Sequence, residues 1–228
     1  MKIIEPSFEL SMPFRSHMNV EDGIRLLQFI ETQARISHRS EDKQTEDSWK
    51  RFIPAVVMQH GDWSVVEHVS LTATIRTDRG ICMELIRHRL FSFTAESTRF
   101  VRYKGEMEFI APEGVFPSPH SEMNDIVAFN IRQSYTDAER RYKELLDRGI
   151  TPQIARTILP NGLAATIAVT GNLRNFRHLF LMRTSRETHP DFKRVTIPML
   201  AEFKKIIPLL YDDIEPDQRQ IDNLRKPR

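Results

Sequence analysis

The sequence predicts one α+β domain over residues 1–211, followed by a polar tail over residues 212–228. Three observations support this prediction. The length of 228 residues suits one large domain. Apolar residues recur at helical spacing through most of the chain. One segment in the first half alternates apolar and polar residues, as a half-buried strand does.

The first part of the chain predicts two helices joined by a polar loop. Apolar residues at helical spacing predict a helix over residues 20–37, and acidic residues in its first turn suit the helix dipole. The polar stretch 40–48 is predicted to be a loop. Residues 49–61 predict a second helix, in which Pro54 marks a start or a kink and Gly61 is the C-terminal cap.

The next segment predicts a strand, a turn and a helix. Residues 69–76 alternate apolar side chains with Ser, Thr or Arg, which is typical of a strand with one buried face. Residues 77–80, Thr-Asp-Arg-Gly, are predicted to be a turn. On the helix that follows, Glu84, Arg87 and His88 are spaced at i, i+3 and i+4 and therefore share one face.

The second half of the chain is predicted to be mainly helical. Its elements are a strand over 107–111, a loop marked by Pro112, Pro117 and Pro119, a long helix ending at Gly149, a short helix that starts at Thr151-Pro152 and carries Arg156, a helix over 172–183, and a last helix bearing Leu200, Phe203, Ile207 and Leu210. These predictions depend on apolar spacing and on the proline, glycine and N-cap signals at helix ends.

Composition excludes several classes of protein. Lys and Arg number 33 against 31 Asp and Glu, and the formal net charge of +2 excludes a strongly polybasic nucleic-acid binder. The single cysteine, Cys82, excludes an intramolecular disulfide and a multi-thiolate metal site. The sequence has no Gly-rich phosphate-binding loop and no HExxH or CxxC pattern, so no metal site is predicted.

Neither a signal peptide nor a membrane span is predicted. The first ten residues carry Glu5 and Glu9, where a signal peptide needs an apolar run. The longest uncharged stretch, 157–173, contains Pro160 and is shorter than the ~20 apolar residues that a span requires. We therefore expect a cytoplasmic protein that keeps Cys82 reduced.

Two segments concentrate cationic and polar side chains. Residues 87–99 read RHRLFSFTAESTR, and their guanidinium groups suit phosphates and carbonyl oxygens. Residues 170–183 read TGNLRNFRHLFLMR and place Asn172 and Arg174 at the start of a helix, with His178 one turn later. The plainer interpretation of both segments is a charged helix surface that faces solvent.

Five segments, in their order along the chain, resemble motifs of the flavin-dependent thymidylate synthases. Residues 87–99 resemble the family signature, an Arg-His-Arg triplet followed by spaced serines and an arginine. The other segments are Ala34-Arg35-Ile36-Ser37, residues 60–68 (HGDWSVVEH), residues 155–160 (ARTILP) and residues 170–183. An ordered set of motifs is a stronger signal than any one of them alone.

The resemblance implies a homotetramer of α+β subunits, with helices packed on a small, mostly antiparallel sheet and active sites shared between chains. It also implies a reaction, the reductive methylation of dUMP at C5. Methylenetetrahydrofolate gives the carbon, FAD carries it and delivers hydride, and NADPH reduces the FAD. Residues 1–211 would be the catalytic domain, and the partners would be these small molecules and further copies of the chain, without nucleic acid or a membrane.

The resemblance further implies roles for individual residues. The implied flavin contacts are Ser37, Ser64, Arg87, His88, the backbone of Leu90, Asn172, Arg174 and His178. The implied nucleotide contacts are Glu84, Arg87, Glu96, Ser97, Thr98, Arg99, Arg156 and Arg183. Of these, Ser97, Arg99 and Arg183 are implied to act in catalysis, and Arg156 is implied to hold the phosphate.

The position of Cys82 agrees with a route that uses no thiolate nucleophile. Cys82 falls on the apolar side of its predicted helix, where a thiol is usually an inert part of the core. C5 of the uracil must then be activated electrostatically, by arginines aimed at the uracil oxygens. Ser97 is expected to position the substrate, because no adjacent base is evident that could make it a nucleophile.

Three departures from the family pattern leave alternatives open. Ala95 stands where many members carry Glu or Gln, Asp62 stands where His is frequent, and residues 188–195 (THPDFKRV) differ from the usual ending. One alternative is a related enzyme of nucleoside-antibiotic pathways that methylates UMP or dUMP. Another is a homologue that binds flavin or nucleotide without turnover.

A third alternative is a protein that binds single-stranded nucleic acid. Four arginines, Arg87, Arg89, Arg99 and Arg102, are interleaved with the aromatic residues Phe91, Phe93, Phe100 and Tyr103. Cations and stacking rings do bind single strands. The net charge of +2 argues against this alternative, and the aromatic positions suit a core equally well.

Overall fold

A computed structural model describes residues 1–115 and 126–217, and its centre is a four-stranded antiparallel sheet in the order β2-β3-β6-β4. The strands along the chain are β1 (Lys2–Ile4), β2 (Ser7–Ser11), β3 (Ser70–Asp78), β4 (Ser92–Ala95), β5 (Glu108–Ile110) and β6 (Ala164–Asn172). The remaining two strands, β1 and β5, form a separate parallel pair. The predicted α+β fold with a mostly antiparallel sheet is confirmed.

The helices lie between and after these strands along the chain. They are α1 (Val20–Ile36), α2 (Trp49–Ile53), α3 (Arg79–Leu85), α4 (Ile126–Asp147), α5 (Pro152–Ala155), α6 (Leu173–Arg183) and α7 (Pro190–Ile206). Polar side chains at Asn19, Asp78 and Asn172 accept hydrogen bonds from the free backbone N–H groups at the starts of α1, α3 and α6.

Strands β3 and β6 form the longest ladder, in register from the pair Ser70–Asn172 to the pair Asp78–Ala164. Each of these strands runs directly into a helix, because its last residue is also the N-cap of that helix. Asp78 accepts a hydrogen bond from the backbone of Ile81 in α3, and Asn172 accepts one from Asn175 in α6. The ladder therefore fixes where both helices begin.

Two apolar clusters hold these elements together. The larger cluster lies where one face of β3 and β6 meets α1, α6 and α7, and it contains the fully buried rings of Phe176, Phe180, Phe203 and Tyr211. In the smaller cluster α4 packs on β5, and the rings of Phe109 and Tyr135 stack with their centroids 4.6 Å apart. Both clusters bury aromatic and aliphatic side chains, and the removal of this apolar surface from water favours folding.

The structure corrects several predicted elements. Residues 77–80 are not a turn, since Thr77 and Asp78 continue β3 and Arg79 already begins α3. Strand β6 occupies most of the uncharged stretch 157–173, for which no strand was predicted. The last helix, α7, starts at Pro190 and ends at Ile206, so Ile207 and Leu210 lie beyond it.

Smaller differences concern helix ends. After α2 the backbone widens into a π-helical turn over Pro54–Gln59, and Gly61 follows with a φ of 82°. The prediction that Pro54 marks a change in the helix and Gly61 its cap is therefore confirmed. The predicted loop 40–48 contains a short 3-10 turn, Glu41–Lys43.

The segment after α7 packs on the body of the protein. Ile214 is buried, and the carboxylate of Asp213 forms an ion pair with Arg177 of α6. The remainder of the predicted tail, 218–228, and the predicted loop residues Pro117 and Pro119 lie outside the described residues. Within the described ranges, no helix combines the length and apolar character needed to cross a membrane.

Candidate active site

The Arg-His-Arg segment lies against the start of α6. The side-chain amide of Asn175 donates a hydrogen bond to the carbonyl oxygen of Leu90, at 2.9 Å. The buried ring of Phe91 packs edge-on against Phe176, with centroids 5.0 Å apart. Gly171 makes this possible, because a Cβ at that position would lie 2.4 Å from a carbon of the Phe91 ring.

A pocket of about 300 Å³ opens between this segment and α6. We call it the arginine pocket, and its lining residues are Arg87, His88, Arg89, Leu90, Phe91, Asn175, His178, Met182 and Arg183. Three arginines and two histidines therefore face one cavity beside apolar side chains. Such a surface suits a planar, anionic ligand.

Arg183 is held in this pocket from several sides. Its Nε donates to Nε2 of His88 at 2.9 Å, and its Nη1 donates to a carboxylate oxygen of Glu84 at 3.4 Å. Its guanidinium also lies over the ring of Phe192, 4.8 Å from the centroid. These contacts fix the direction of a half-buried cation, which is what an electrostatic catalyst needs.

His88 must be neutral to accept that hydrogen bond from Arg183. Burial of the ring, and secondly the positive charge of Arg183, lower the pKa of His88 to about 4. Although α3 ends at Leu85, His88 and Glu84 still converge on Arg183. The predicted helix face of Glu84, Arg87 and His88 is thus only partly helical.

The lowered pKa of His88 predicts a specific pH dependence of stability. Below pH ~6.5 the unfolded chain gains a proton on His88 that the folded protein excludes until pH ~4, so the free energy of unfolding falls across this window. The variant His88→Gln keeps a neutral acceptor and does not titrate. We expect denaturant titrations from pH 7 to pH 4.5 to show that the free energy of unfolding falls more steeply for wild type than for His88→Gln. An NMR titration of His88 with a midpoint near 6.5 would contradict this.

A second pocket, of about 560 Å³, lies between the end of α1 and the 3-10 turn Trp63–His68. We call it the serine pocket, and its polar lining residues are Arg35, Ser37, His38, Ser40, His60, Asp62 and Ser64. The buried Arg35 is held by Glu31, with an Nη2–Oε1 distance of 2.6 Å. The hydroxyl of Ser37 lies 2.7 Å from Nδ1 of His38.

The third group of candidate residues is the loop Glu96–Arg99, which faces α5 and the turn after it. Arg99 donates from Nε and Nη2 to the side-chain oxygen of Gln153, at 3.2 and 2.9 Å. Arg156 donates from Nη1 to the hydroxyl of Thr98 at 3.3 Å. Glu96 accepts a hydrogen bond from the hydroxyl of Tyr103.

The structure distributes the residues implied by the resemblance over these three places. The arginine pocket holds Arg87, His88, Leu90, His178 and Arg183, with Glu84 at its edge. The serine pocket holds Ser37 and Ser64. The loop Glu96–Arg99 holds Glu96, Ser97, Thr98 and Arg99, and the turn after α5 holds Arg156. Asn172 caps α6, while Arg174 turns to an ion pair with Glu67 at 2.6 Å. These assignments of roles remain predictions.

Sequence reasoning did not link three residues to the candidate site that the structure adds to it. Gln153 and Tyr103 each bind a candidate residue, and Phe192 supports Arg183. The start of α5 at Pro152 was predicted, but no periodicity relates Gln153 to a partner 54 residues earlier in the chain. Of the aromatic residues behind the nucleic-acid alternative, Phe91 is part of the core and Phe100 is exposed.

Cys82 lies in the core, on the opposite side of α3 from Glu84. Burial is the main cause that raises the pKa of the Cys82 thiol to about 12. A thiol with that pKa carries almost no thiolate at neutral pH. The expectation that Cys82 is a buried core residue is confirmed.

Comparisons with known proteins agree with the sequence motifs. The sequence model of the family described as thymidylate synthase complementing protein matches residues 25–209. A protein of Corynebacterium efficiens named flavin-dependent thymidylate synthase is 33% identical over 169 residues, which cover 70% of this chain and 67% of that protein. A protein of Saccharolobus solfataricus with the same name is 32% identical over 178 residues, covering 78% and 65%.

Solved structures give the same result for the fold. A crystal structure of the UMP/dUMP methylase PolB from Streptomyces cacaoi, bound with 5-Br dUMP, is similar with a TM-score of 0.69 and 21% identity, covering 90% of this chain and 93% of that one. The fold is therefore shared with a nucleotide methylase. Because the family model matches most of the chain and the Corynebacterium protein is 33% identical over 70% of it, this chain belongs to the family of flavin-dependent thymidylate synthases.

Proposed function

We propose that this chain catalyses the reductive methylation of dUMP at C5 to give dTMP, with FAD as its flavin, methylenetetrahydrofolate as the carbon donor and NADPH as the reductant. The observation that carries the proposal is the arginine pocket, where the Arg-His-Arg segment meets His178 and Arg183 of α6. The family to which the chain belongs supports the choice of a flavin and a uracil nucleotide.

The donor groups of the two pockets fit FAD. Hydroxyl groups of Ser37 and Ser64 line the larger pocket, and Arg87, His88 and His178 line a pocket that suits anionic and planar groups. The residues that would hold FAD are Ser37, Ser64, Arg87, His88, the backbone of Leu90, Asn172, Arg174 and His178. When bound, FAD would carry the one-carbon unit and the hydride.

The side chains of this protein supply binding and electrostatic stabilisation. Arg183 and Arg99 would face the uracil oxygens and would stabilise the enolate-like negative charge that makes C5 nucleophilic. Arg156 and Thr98 would hold the phosphate, since a guanidinium and a hydroxyl that already contact each other form a ready anion site. Glu84 and Glu96 would accept hydrogen bonds from the nucleotide, and Ser97 would position it.

We further propose that several chains of a homotetramer build each active site. The implied flavin and nucleotide contacts of one chain lie in three separate places, so neighbouring copies would bring them together. Leu90 and Met182 support this, because they line the arginine pocket and remain 73% and 46% exposed in a single chain.

Purification and turnover test the proposed function. We expect a yellow protein that forms dTMP from dUMP when the folate and NADPH are present. The shared fold with a UMP/dUMP methylase favours UMP as a second candidate substrate. Turnover of UMP equal to or greater than that of dUMP would make UMP the first candidate. Protein without bound flavin, and without uptake of added FAD, would contradict the proposal. A yellow protein that binds dUMP but never oxidises NADPH would indicate a non-catalytic homologue.

Replacing Cys82 by alanine is expected to leave turnover within about twofold of wild type. The thiol is buried, and its raised pKa keeps it protonated, so it contributes packing and not chemistry. The measurement is the rate of dTMP formation at equal flavin content. Loss of product formation in a folded variant that retains its flavin would show that Cys82 acts as a nucleophile, and the proposed mechanism would be wrong.

A further inference from the structure

The arginines of this protein differ in the groups that hold them. Several pair with carboxylates, namely Arg35 with Glu31, Arg174 with Glu67, Arg177 with Asp213 and Arg183 with Glu84. Arg99 and Arg156 instead bind an amide oxygen and a hydroxyl. Throughout residues 1–115 and 126–217, no carboxylate lies within 4.0 Å of either of these two guanidinium groups.

Gln153 is well placed to direct Arg99. It lies in the first turn of α5, which Pro152 begins and which the hydrogen bond from the backbone N–H of Ala155 to the carbonyl of Thr151 closes at 2.9 Å. Its single amide oxygen accepts hydrogen bonds from both Nε and Nη2 of Arg99. These two bonds fix the orientation of the guanidinium plane as well as its distance from Gln153.

The same short segment contacts the loop at two successive residues. Gln153 binds Arg99, and Arg156, three residues further on, binds Thr98. On its other side the Arg99 guanidinium lies 5.4 Å from the ring centroid of Phe100. An exposed arginine otherwise samples many rotamers, so these contacts lower the entropy that a ligand must remove.

A neutral acceptor orients a cation without cancelling its charge. A carboxylate at the same position would bind Arg99 more strongly but would offset the charge that an anionic ligand must find. We propose that Gln153 is a positioning residue, whose amide oxygen aims the Arg99 guanidinium at the bound uracil nucleotide and leaves its full charge available. This inference rests on the proposed function.

Two variants of Gln153 separate orientation from charge, with dUMP as the probe in calorimetric titrations of the flavin-loaded protein. Gln153→Ala removes the acceptor and should weaken dUMP binding about threefold. Gln153→Glu keeps an acceptor but neutralises Arg99, and it should weaken binding about tenfold and reduce the dependence of affinity on salt. In turnover, KM for dUMP should rise more than kcat falls. Gln133→Glu, on the exposed face of α4, adds the same charge elsewhere. It should change neither the affinity for dUMP nor the kinetic constants.

The double variant with Arg99→Ala shows whether Gln153 acts through Arg99. Gln153→Ala should have no further effect on dUMP affinity once Arg99 is gone. An equal loss in both backgrounds, or a Gln153→Glu variant that binds as Gln133→Glu does, would overturn the inference while the proposed function stands. Wild-type protein that binds flavin but no dUMP would overturn both. Because Gln153 is exposed, circular dichroism should show that all these variants fold.

Discussion

Replacement of Arg183 by alanine is expected to lower the turnover of dUMP by about 10²–10³-fold, in the range found when one donor to a developing oxyanion is removed. Arg183 is the arginine that the structure holds most firmly in the arginine pocket, with contacts to His88, Glu84 and Phe192. A cation whose direction is already fixed stabilises the transition state without reorganising. The measurement is kcat for dTMP formation at saturating dUMP and folate.

Two further variants make this result interpretable. Arg183→Lys keeps the charge but has no planar fork to reach both His88 and Glu84, so we expect an intermediate loss. Arg186→Ala removes an exposed arginine three residues beyond and should leave kcat unchanged. A folded Arg183→Ala variant that keeps its flavin and turns over within threefold of wild type would show that Arg183 does not stabilise the reacting uracil.

Replacement of Phe176 by alanine is expected to lower the free energy of unfolding by about 3–5 kcal/mol, the range for removing a buried aromatic ring. Phe176 is fully buried in the larger apolar cluster and contacts Phe91, with centroids 5.0 Å apart, and Phe203, with centroids 4.9 Å apart. Equilibrium denaturation of both proteins gives the difference.

The contact with Phe91 adds a functional consequence. Without the Phe176 ring, Phe91 loses its support, and the Arg-His-Arg segment that precedes it can shift. We therefore expect less bound flavin even where the variant remains folded. Phe14→Ala removes a fully exposed ring and should change stability by no more than about 0.5 kcal/mol. A cost for Phe176→Ala below about 1 kcal/mol would mean that the cluster repacks.

The sequence predicted helices better than strands, for a physical reason. Helix α6 was predicted over residues 172–183 because the N-cap Asn172 and the spacing of Leu173, Phe176 and Phe180 are local signals. Strand β6 has no such signal. It is a central strand between β3 and β4, and its alanines and threonines give only weak alternation.

The prediction of a turn at residues 77–80 was wrong because Asp78 has a residue type that is typical of two different structures. Aspartate is frequent in turns and at the N-caps of helices, and the sequence alone does not say which role applies. The pairing of Asp78 with Ala164 in the sheet decides the matter, since it keeps Asp78 in the strand and lets its side chain cap α3.

The candidate site shows the same limit. The motifs identified segments 87–99 and 170–183 as rich in cations, because both carry these residues locally, but the pocket between the two segments comes from the structure. The contact between Arg99 and Gln153 joins residues 54 positions apart, and it depends on how α5 packs beside the loop. Only a three-dimensional structure brings those two side chains together.

The direct passage of β3 into α3 and of β6 into α6 restricts how this site can change during evolution. Neither junction has spare residues, so one inserted residue in either strand would reverse its inward and outward side chains or turn the following helix by about 100°. Glu84 and Arg183 would then point away from each other. Length differences among homologues should therefore accumulate elsewhere in the chain, and new substrate preferences should arise at this site by exchange of side chains.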